Sequence, residues 1–580
     1  MMTEKREDVL QQDEQFLKNA YKKAVLPCIL SMLSGNINIL VDGILVGQKA
    51  GSNGLAAINL CVPVYLVLCV IGSFLVSGTA ITAARYIGDN RTGEAVKLYQ
   101  TSVIACLAAS FLVTAIGLMN LKPLTVFLCS DDETMPYVTS YAFITLAGAL
   151  PKIMIYIPFW FLRLDGRGGS VSLIMGVMAG GNILLDLLFL YVFDLGVFGA
   201  GLASVLATAA AAVIGFVLLC DSRSSFRPGL AFIREKDCWK QISLAGSPSA
   251  ANNLFQTLRL LAVNNLLIKS GGSSLVAAFT AVNCISAFAG CITDGVPQAA
   301  SAMLGIYSGE HDNNSTRLLI RREWRSGCVY CILFSVVVLA GADLISGLYG
   351  LDISLRFPMF CLAAGLFPAL WNSILSGYYN VCGRIFWANA LIFLRVFLTA
   401  AGSLFLLILF QGNPWWFLFL SEAVPLLLWY LATLVYHKRH PEDTRYLLMD
   451  CGLEREGCVL NFSVGDEIEQ ICEASSRITD FCRKNGMHEK QMIRMSLAIE
   501  EIMTLIVQMN GGNRVSFDVR AFSLQGVIGI RFRYNGIDFN PFQSFQEQDE
   551  QYMGIRMVET LVEETVYQRT FGMNTLQILL

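Results

Sequence analysis

The sequence predicts an all-α polytopic membrane protein with twelve transmembrane helices in two six-helix pseudo-repeats, followed by a small α+β cytosolic C-terminal domain. Three observations predict it. The 580 residues are 54% hydrophobic and only 15% charged, whereas soluble chains carry about 25% charged residues. The charge is uneven: the stretch from Asp450 onward is far richer in charged residues than the chain before it. Short motifs also recur along the apolar part at a nearly constant offset. This composition excludes a soluble enzyme and a disordered chain, and a net charge of −3 points to no nucleic-acid partner.

The elements follow in order. Residues 1–23 are polar and mixed in charge, without the apolar core of a cleavable signal, and read as a cytosolic tail. Crossing the hydrocarbon core takes about 20 apolar residues. Runs of that kind lie near 24–46, 55–80, 99–121, 137–162, 171–193 and 197–219, giving an N-lobe over 24–220. An inter-lobe cytosolic loop occupies 221–240. A C-lobe over 241–437 takes the runs near 242–268, 275–306, 327–349, 357–380, 386–410 and 415–436. Residues 438–458 form a linker, and 459–580 the terminal domain. There, 466–484 and 489–509 have helical periodicity, and Val515–Arg520 and Val527–Arg533 alternate as strands. Met553–Leu561 reads as a helix, and Val566–Thr570 and Thr575–Leu579 as strands.

Basic residues set the orientation. With the N-terminus inside, the inward loops hold most of them, including Arg85, Arg91, Arg163, Arg167 and Arg384, and the outward loops only Lys49, Lys122, Lys269 and Arg356. That asymmetry places both termini in the cytosol. The 17 cysteines are mostly scattered singly, which suits a reducing compartment rather than a disulfide scaffold. Cys328 and Cys331 form a C-x-x-C inside an apolar run and read as small helix residues, not as a metal motif.

The repeat is explicit. Gly51-Ser-Asn-Gly-Leu-Ala-Ala57 recurs as Gly272-Ser-Ser-Leu-Val-Ala-Ala278, and Tyr86-Ile-Gly88 recurs as Tyr307-Ser-Gly309 at the same offset. Gly166-Arg167 recurs as Gly383-Arg384 at an offset only slightly shorter. Each half begins and ends on the same side, so the repeat is parallel, with a site expected between the halves.

Ionisable residues within spans cost roughly 2.5–3.5 kcal/mol each on insertion scales and are functional candidates by default. Asp42 and Asp186 stand out, each one helical turn after an asparagine, Asn38 and Asn182. That spacing puts amide and carboxylate on one helix face. A carboxylate flanked by amide oxygens is suited to a proton or a small hard cation; an interhelical pairing is the plainer alternative. Asp294, Lys152, Arg259, Arg395 and Glu422 are expected mainly to form ion pairs or lie at interfaces, with Asn38, Gln256 and Asp294 the candidate cavity-lining residues. Tyr65, Trp160 and Trp371 are expected to pack.

The membrane part resembles the multidrug and toxic compound extrusion (MATE) family. The resemblance covers about 20–437 and rests on VDGILVGQKAGSNGLAAINLCVPV, Asn182-x3-Asp186, LGVFGAGLASVLA, AGSPSAANNLFQ and GVPQAASAMLGIYSGEHD. It implies two six-helix lobes around a cavity of alternating access, exporting organic, often cationic, compounds in exchange for H⁺ or Na⁺. It also implies an N-lobe coupling site at Asp42, Asn182 and Asp186. Where some members carry a C-lobe carboxylate, this chain has Gln256, so coupling is expected to rest on the N-lobe.

Residues from about 464 onward resemble the GHKL class of ATPase domains, as in anti-sigma-factor and histidine kinases. Glu501, Asn535, Gly536 and Gly554 match that family's nucleotide site. Leu505 and Tyr534 replace its metal-orienting asparagine and adenine-binding aspartate, so a degenerate site with doubtful ATP binding is implied. The expectation is a non-enzymatic antiporter of the prokaryotic inner membrane with no cofactor or resident metal. Its partners are the bilayer, a small organic substrate and a protein partner for the regulatory tail. A membrane sensor and an amphipathic-substrate flippase are the alternatives.

Overall fold

The computed structural model of the chain describes residues 2–89, 91–129, 133–221, 224–226, 229, 231–310, 312–348, 354–441, 443–449, 459–511, 513–524, 527–542, 564–570 and 573–579. It divides into two compact units, Lys23–Tyr436 and a second made of Met1–Lys22 with His437–Leu580.

Helical hydrogen bonding runs unbroken through α1 (Met2–Gly88), whose residues from Lys23 onward belong to the membrane unit. A straight helix of that length would extend about 130 Å at roughly 1.5 Å per residue. The contacts show that α1 doubles back instead. Ser31 accepts a hydrogen bond from Arg163 at 3.0 Å, while Gly72, much later in the same helix, packs on Tyr156. Both partners belong to the short α6 (Tyr156–Leu164). Val46 and Ile58 correspondingly share one apolar cluster with Leu190 and Ala200. The next long helix of this kind, α9 (Lys236–Thr293), reverses in the same way: Val263 and Leu267 cluster with Ala278, Phe279 and Val282. The two repeated Gly/Ser motifs lie at these reversals.

The remaining N-lobe helices are α2 (Thr92–Met119), α3 (Leu121–Leu128), α4 (Met135–Ala147), α5 (Ala149–Met154), α6, α7 (Gly168–Leu187) and α8 (Gly196–Leu219). In the C-lobe, α9 is followed by α10 (Gly295–Gly309), α11 (Asn313–Ala340), α12 (Ala342–Leu348), α13 (Arg356–Val381), α14 (Ile385–Ile392), α15 (Thr399–Leu409) and α16 (Phe417–Arg439). The repeat extends to whole elements. The starts of α2 and α11, α3 and α12, α4 and α13, and α8 and α16 are all separated by the offset of the Gly51 and Gly272 motifs. Gly166 and Gly383 follow the ends of α6 and α13 with φ of 76° and 78°, the left-handed conformation that glycine adopts freely at a helix C-terminus.

Among the described residues, eight helices are long and apolar enough to cross a bilayer, or nine if α4 and its continuation, bent by 56°, make one span. The expected fourth span is therefore broken rather than straight. Gly148 sits at the break with no room for a side chain against Val205, and Pro151 and Pro158 follow, each lacking a helix-forming N–H. The expected spans 24–46, 242–268 and 275–306 are not among the eight; they lie within α1, α9 and α10. Large apolar side chains face outward, such as Phe111 at 78% and Phe127 at 86% exposure, as lipid-facing positions require.

The lobes meet through small residues. A Cβ added to Gly78 would lie 2.3 Å from the Ile242 carbonyl oxygen, and one on Gly246 would lie 2.1 Å from that of Phe74. The repeat-equivalent Gly88 and Gly309 face each other, and Arg85 donates to the carbonyls of Asn380 and Val381 at 2.5 and 2.6 Å. One side of the inter-lobe space is thus sealed. The loop between lobes is tied to the N-lobe: Phe226 is buried against Tyr99 and Phe161, and Ser225 N donates to Asp165. Its last residues, from Lys236, are already helical, earlier than expected.

The second unit contains a five-stranded antiparallel sheet in the order β1 (Val459–Val464), β2 (Phe517–Leu524), β3 (Val527–Tyr534), β5 (Met573–Leu579), β4 (Glu564–Thr570). Helices α17 (Ile468–Lys484) and α18 (Glu489–Met509) pack on one face, where Ile499, Ile502 and Ile506 join Val519, Ile530, Phe532 and Ile578. The period of two puts Arg520, Arg531, Arg533 and Asp518 on the other face, with Arg531 and Arg533 at 3.0 and 3.6 Å from Asp518. The helix expected at Met553–Leu561 lies outside the described residues.

Candidate functional site

Two polar groupings of the membrane unit hold the described residues of the expected site. On α7, Asn182 and Asp186 stand one turn apart, and the Asn182 amide donates to the Asp186 carboxylate at 2.5 Å. Asp186 is fully buried and Asn182 almost so. Directly afterwards the helix widens into a π-turn, Leu188–Val192, a distortion common at functional sites. Asn38 and Asp42 lie on α1, but their side chains fall outside the described ones.

The second place is a cavity of about 580 Å³ between the lobes, walled by α1 on one side and mainly by α9, α13 and α16 on the other. Gln256 and Asp294 both line it, together with Asn36, Asn252, Asn253, Arg259, Arg395 and Glu422. Asn182 and Asp186 do not.

The charged residues join into one network. Arg395 bonds Glu422 through Nε at 2.8–3.0 Å and donates through Nη1 to Ser373 Oγ at 2.6 Å. Ser373 in turn donates to Asp294 at 2.6 Å, and Asp294 lies 3.9 Å from Arg395. Asn372 donates to the Glu422 carboxylate at 3.1 Å. Charge-assisted bonds of this kind are short and directional. Arg395 also sits in a π-turn, Phe393–Leu398, where Thr399 Oγ1 reaches back to Leu394 O at 2.9 Å. Arg259 also lines the cavity; it lies near Glu422 and Asp294 but hydrogen-bonds to no protein group among the described residues. Asn36 escaped the sequence reading, which chose Asn38 for its spacing to Asp42. Its amide donates to Ala287 O at 2.8 Å across the lobes, a contact with no local signature.

Comparison with known proteins bears on this geometry. The MatE family model matches residues 27–192. The multidrug export protein MepA of Staphylococcus aureus is 23% identical over 271 residues, 45% of this chain and 60% of the relative. The FAD transporter of Shewanella oneidensis is 25% identical over 249 residues, 42% and 54% of the two chains. The match therefore spans less than two thirds of the relatives' length. A solved structure described as the outward-facing conformation of a multidrug resistance MATE family transporter superposes with a TM-score of 0.68, at 22% identity, over 73% of this chain and 97% of its own. The membrane unit has the MATE fold.

Within that MATE fold, the cavity lies between the two lobes and the Asn182–Asp186 pair lies in the N-lobe. The C-lobe acids Asp294 and Glu422 are bound to Arg395 rather than displayed as a separate carboxylate site. This matches the ion-pair expectation for Arg395 and Glu422. Lys152 is buried with its Nζ 5.5 Å from the Tyr65 ring, and Trp371 packs edge-on against Trp324 at 5.0 Å.

In the tail, Asn535 and Gly536, two of the four residues matched to a nucleotide site, are engaged internally. Asn535 accepts from Ser516 N at 2.7 Å and donates to Arg514 O at 3.1 Å. Gly536, at φ 123°, lies so close to Asn510 that a Cβ would come within 2.1 Å of its oxygen. Tyr534 is fully buried and donates to Phe539 O at 2.7 Å, and burial raises its phenol above the usual range. Glu501 is exposed on α18. Gly554 lies outside the described residues. Asn510, which accepts from Ile537 N at 2.9 Å and ties the turn to α18, was not anticipated.

Proposed function

We propose that the chain is a secondary active exporter of organic compounds, exchanging them for H⁺ or Na⁺ by alternating access, with coupling through Asp42, Asn182 and Asp186. The observation that carries this reading is the polar cavity between two MATE-fold lobes that are sealed on one side, with a buried carboxylate–amide pair in the N-lobe. A buried carboxylate changes its affinity for a cation as access to water changes. Twelve spans, both termini in the cytosol of a prokaryotic inner membrane, and a regulatory rather than catalytic tail complete the proposal. The engaged Asn535, Gly536 and Tyr534 support a tail without ATP turnover. Its role is then to bind a protein partner.

The test is dye efflux into inverted vesicles without ATP, driven first by a pH gradient and then by a Na⁺ gradient. Asp186→Asn is expected to abolish gradient-driven transport while the protein still inserts and folds, because neutralising a buried carboxylate does not raise its burial cost. Full gradient-driven transport by that variant would remove Asp186 from the coupling role.

One observation favours a second reading of the substrate. Arg259, near Glu422 and Asp294, lines the cavity without a hydrogen bond to protein among the described residues, and guanidinium suits carboxylate and phosphate groups. A relative named as an FAD transporter makes an anionic organic substrate the alternative to a cationic drug. Competition of dye efflux by FAD, against competition by a cationic dye, separates the two.

A further inference from the structure

The C-lobe holds a second buried acid that the sequence reading passed over. The expected span began at 327, leaving Glu323 in a loop among Arg317, Arg321, Arg322 and Arg325. The structure starts α11 at Asn313, capped by the Asp312 carboxylate, which accepts from Ser315 N at 3.1 Å. Glu323 is therefore well inside the helix, about 15 Å along it. Arg321 and Arg325, which flank it on either side, point to the exposed face, whereas Glu323 is 0% exposed. Neither of its carboxyl oxygens has a hydrogen-bond partner among the described residues.

Among the described residues, the elements packed on α11 bring no charged partner to Glu323. Arg259 of α9 faces Glu422 and Asp294 instead, and Asp343 of α12 pairs with Arg356 of α13 at the exposed far end. Tyr378 bonds Cys382, Tyr379 accepts from Trp429, and Tyr307 of α10 is buried. An ionised carboxylate without donors in such a place is far costlier than the neutral acid. The repeat does not explain it: the equivalent position of the N-lobe is Ser102, whose hydroxyl is satisfied by Tyr99 O at 2.7 Å. Packing does not require a carboxyl there.

We propose that Glu323 is a proton-carrying carboxyl of the C-lobe, loaded while the Gly88–Gly309 side is sealed and discharged when that side opens. The position supports this. α11 begins shortly after Gly309, so Glu323 lies nearer the sealed side than the opposite one, and separation of the lobes there admits water. The O–H bond then breaks, the proton passes to water, and the carboxylate left behind is hydrated. The inference rests on the exporter reading for its consequence in transport, but not for the protonation itself.

Two measurements on the full chain in nanodiscs and in proteoliposomes test it. In infrared pH titration, the wild type is expected to show a protonated-carboxyl stretching band that persists at neutral pH and is missing from Glu323→Gln. In the second, ethidium transport driven by a pH gradient is expected to lose its pH dependence in Glu323→Gln and to regain it, displaced along the pH axis, in Glu323→Asp. An unchanged infrared band in Glu323→Gln overturns the proposal, as does unaltered pH dependence of transport in that variant. Should Glu323→Gln misfold, the aspartate variant's displaced titration still decides. If the wild type moves no ethidium under any gradient, the exporter reading fails while the infrared result stands independently.

Discussion

Replacing Glu422 by Gln removes one charge from a network buried in the C-lobe. Arg395 is 13% exposed and Glu422 15%, so neither charge is well screened by water. Removing one partner of a buried pair costs about 3–5 kcal/mol, because the other charge is left unpaired. Here the loss is softened. Arg395 keeps its bond to Ser373 and its approach to Asp294 at 3.9 Å, where two unit charges attract by about 4 kcal/mol at an effective dielectric of 20. The glutamine oxygen also retains a weaker bond to Nε. The expected destabilisation is therefore at or below the lower end, about 2–3 kcal/mol. Adding Asp294→Asn removes that compensation and brings the loss to the full range. Arg395→Met combined with Glu422→Leu is expected to recover most of it, since a well-packed apolar pair is often as stable as the ion pair it replaces. Unfolding of the purified full-length protein, followed by tryptophan fluorescence, measures each corner of the cycle. Glu422→Gln unfolding like the wild type, or no recovery in the apolar double variant, would refute the reasoning that Arg395 and Glu422 form a desolvated pair.

Two further outcomes follow from other parts of the fold. Gly246→Leu places side-chain atoms where a Cβ alone would lie 2.1 Å from the Phe74 carbonyl oxygen, so the sealed contact is expected to open; spin labels at Arg91 and Asn313 should move apart, and an unchanged separation with intact transport would contradict the role given to that contact. In the tail, burial pushes the Cys482 thiol up to about 11, while Cys472 is exposed. Maleimide at neutral pH is expected to label Cys472 well before Cys482, the two converging only on unfolding. Because the folded thiol is the harder one to ionise, its stabilisation is present below the ordinary thiol pKa of 9.0 and is lost as pH rises through about 11.

The sequence by itself determined what depends on local composition and spacing. Apolar run length set most of the membrane helices, because a bilayer leaves the backbone little alternative to satisfying its own hydrogen bonds. The Gly166-Arg167 and Gly383-Arg384 pairs announced two equivalent helix ends, since a positive φ at a C-terminus favours glycine. The one-turn spacing of Asn182 and Asp186 placed their side chains in contact, because one helical turn is a purely local geometry. Alternation in the tail marked β2 to β5 to within a few residues for the same reason.

What only the tertiary structure decided is where groups remote in sequence converge. Arg395, Glu422, Asp294 and Ser373 come from different parts of the C-lobe, and no periodicity relates them. Their neutralisation of one another turns separate intramembrane candidates into one network, with Arg259 close to its acids Glu422 and Asp294. Glu323 was hidden for the opposite reason. Its arginine neighbours resemble a cytosolic loop in one dimension, and only the packing of α11 against α10 and α13 reveals that the helix exposes Arg321 and Arg325 and buries Glu323.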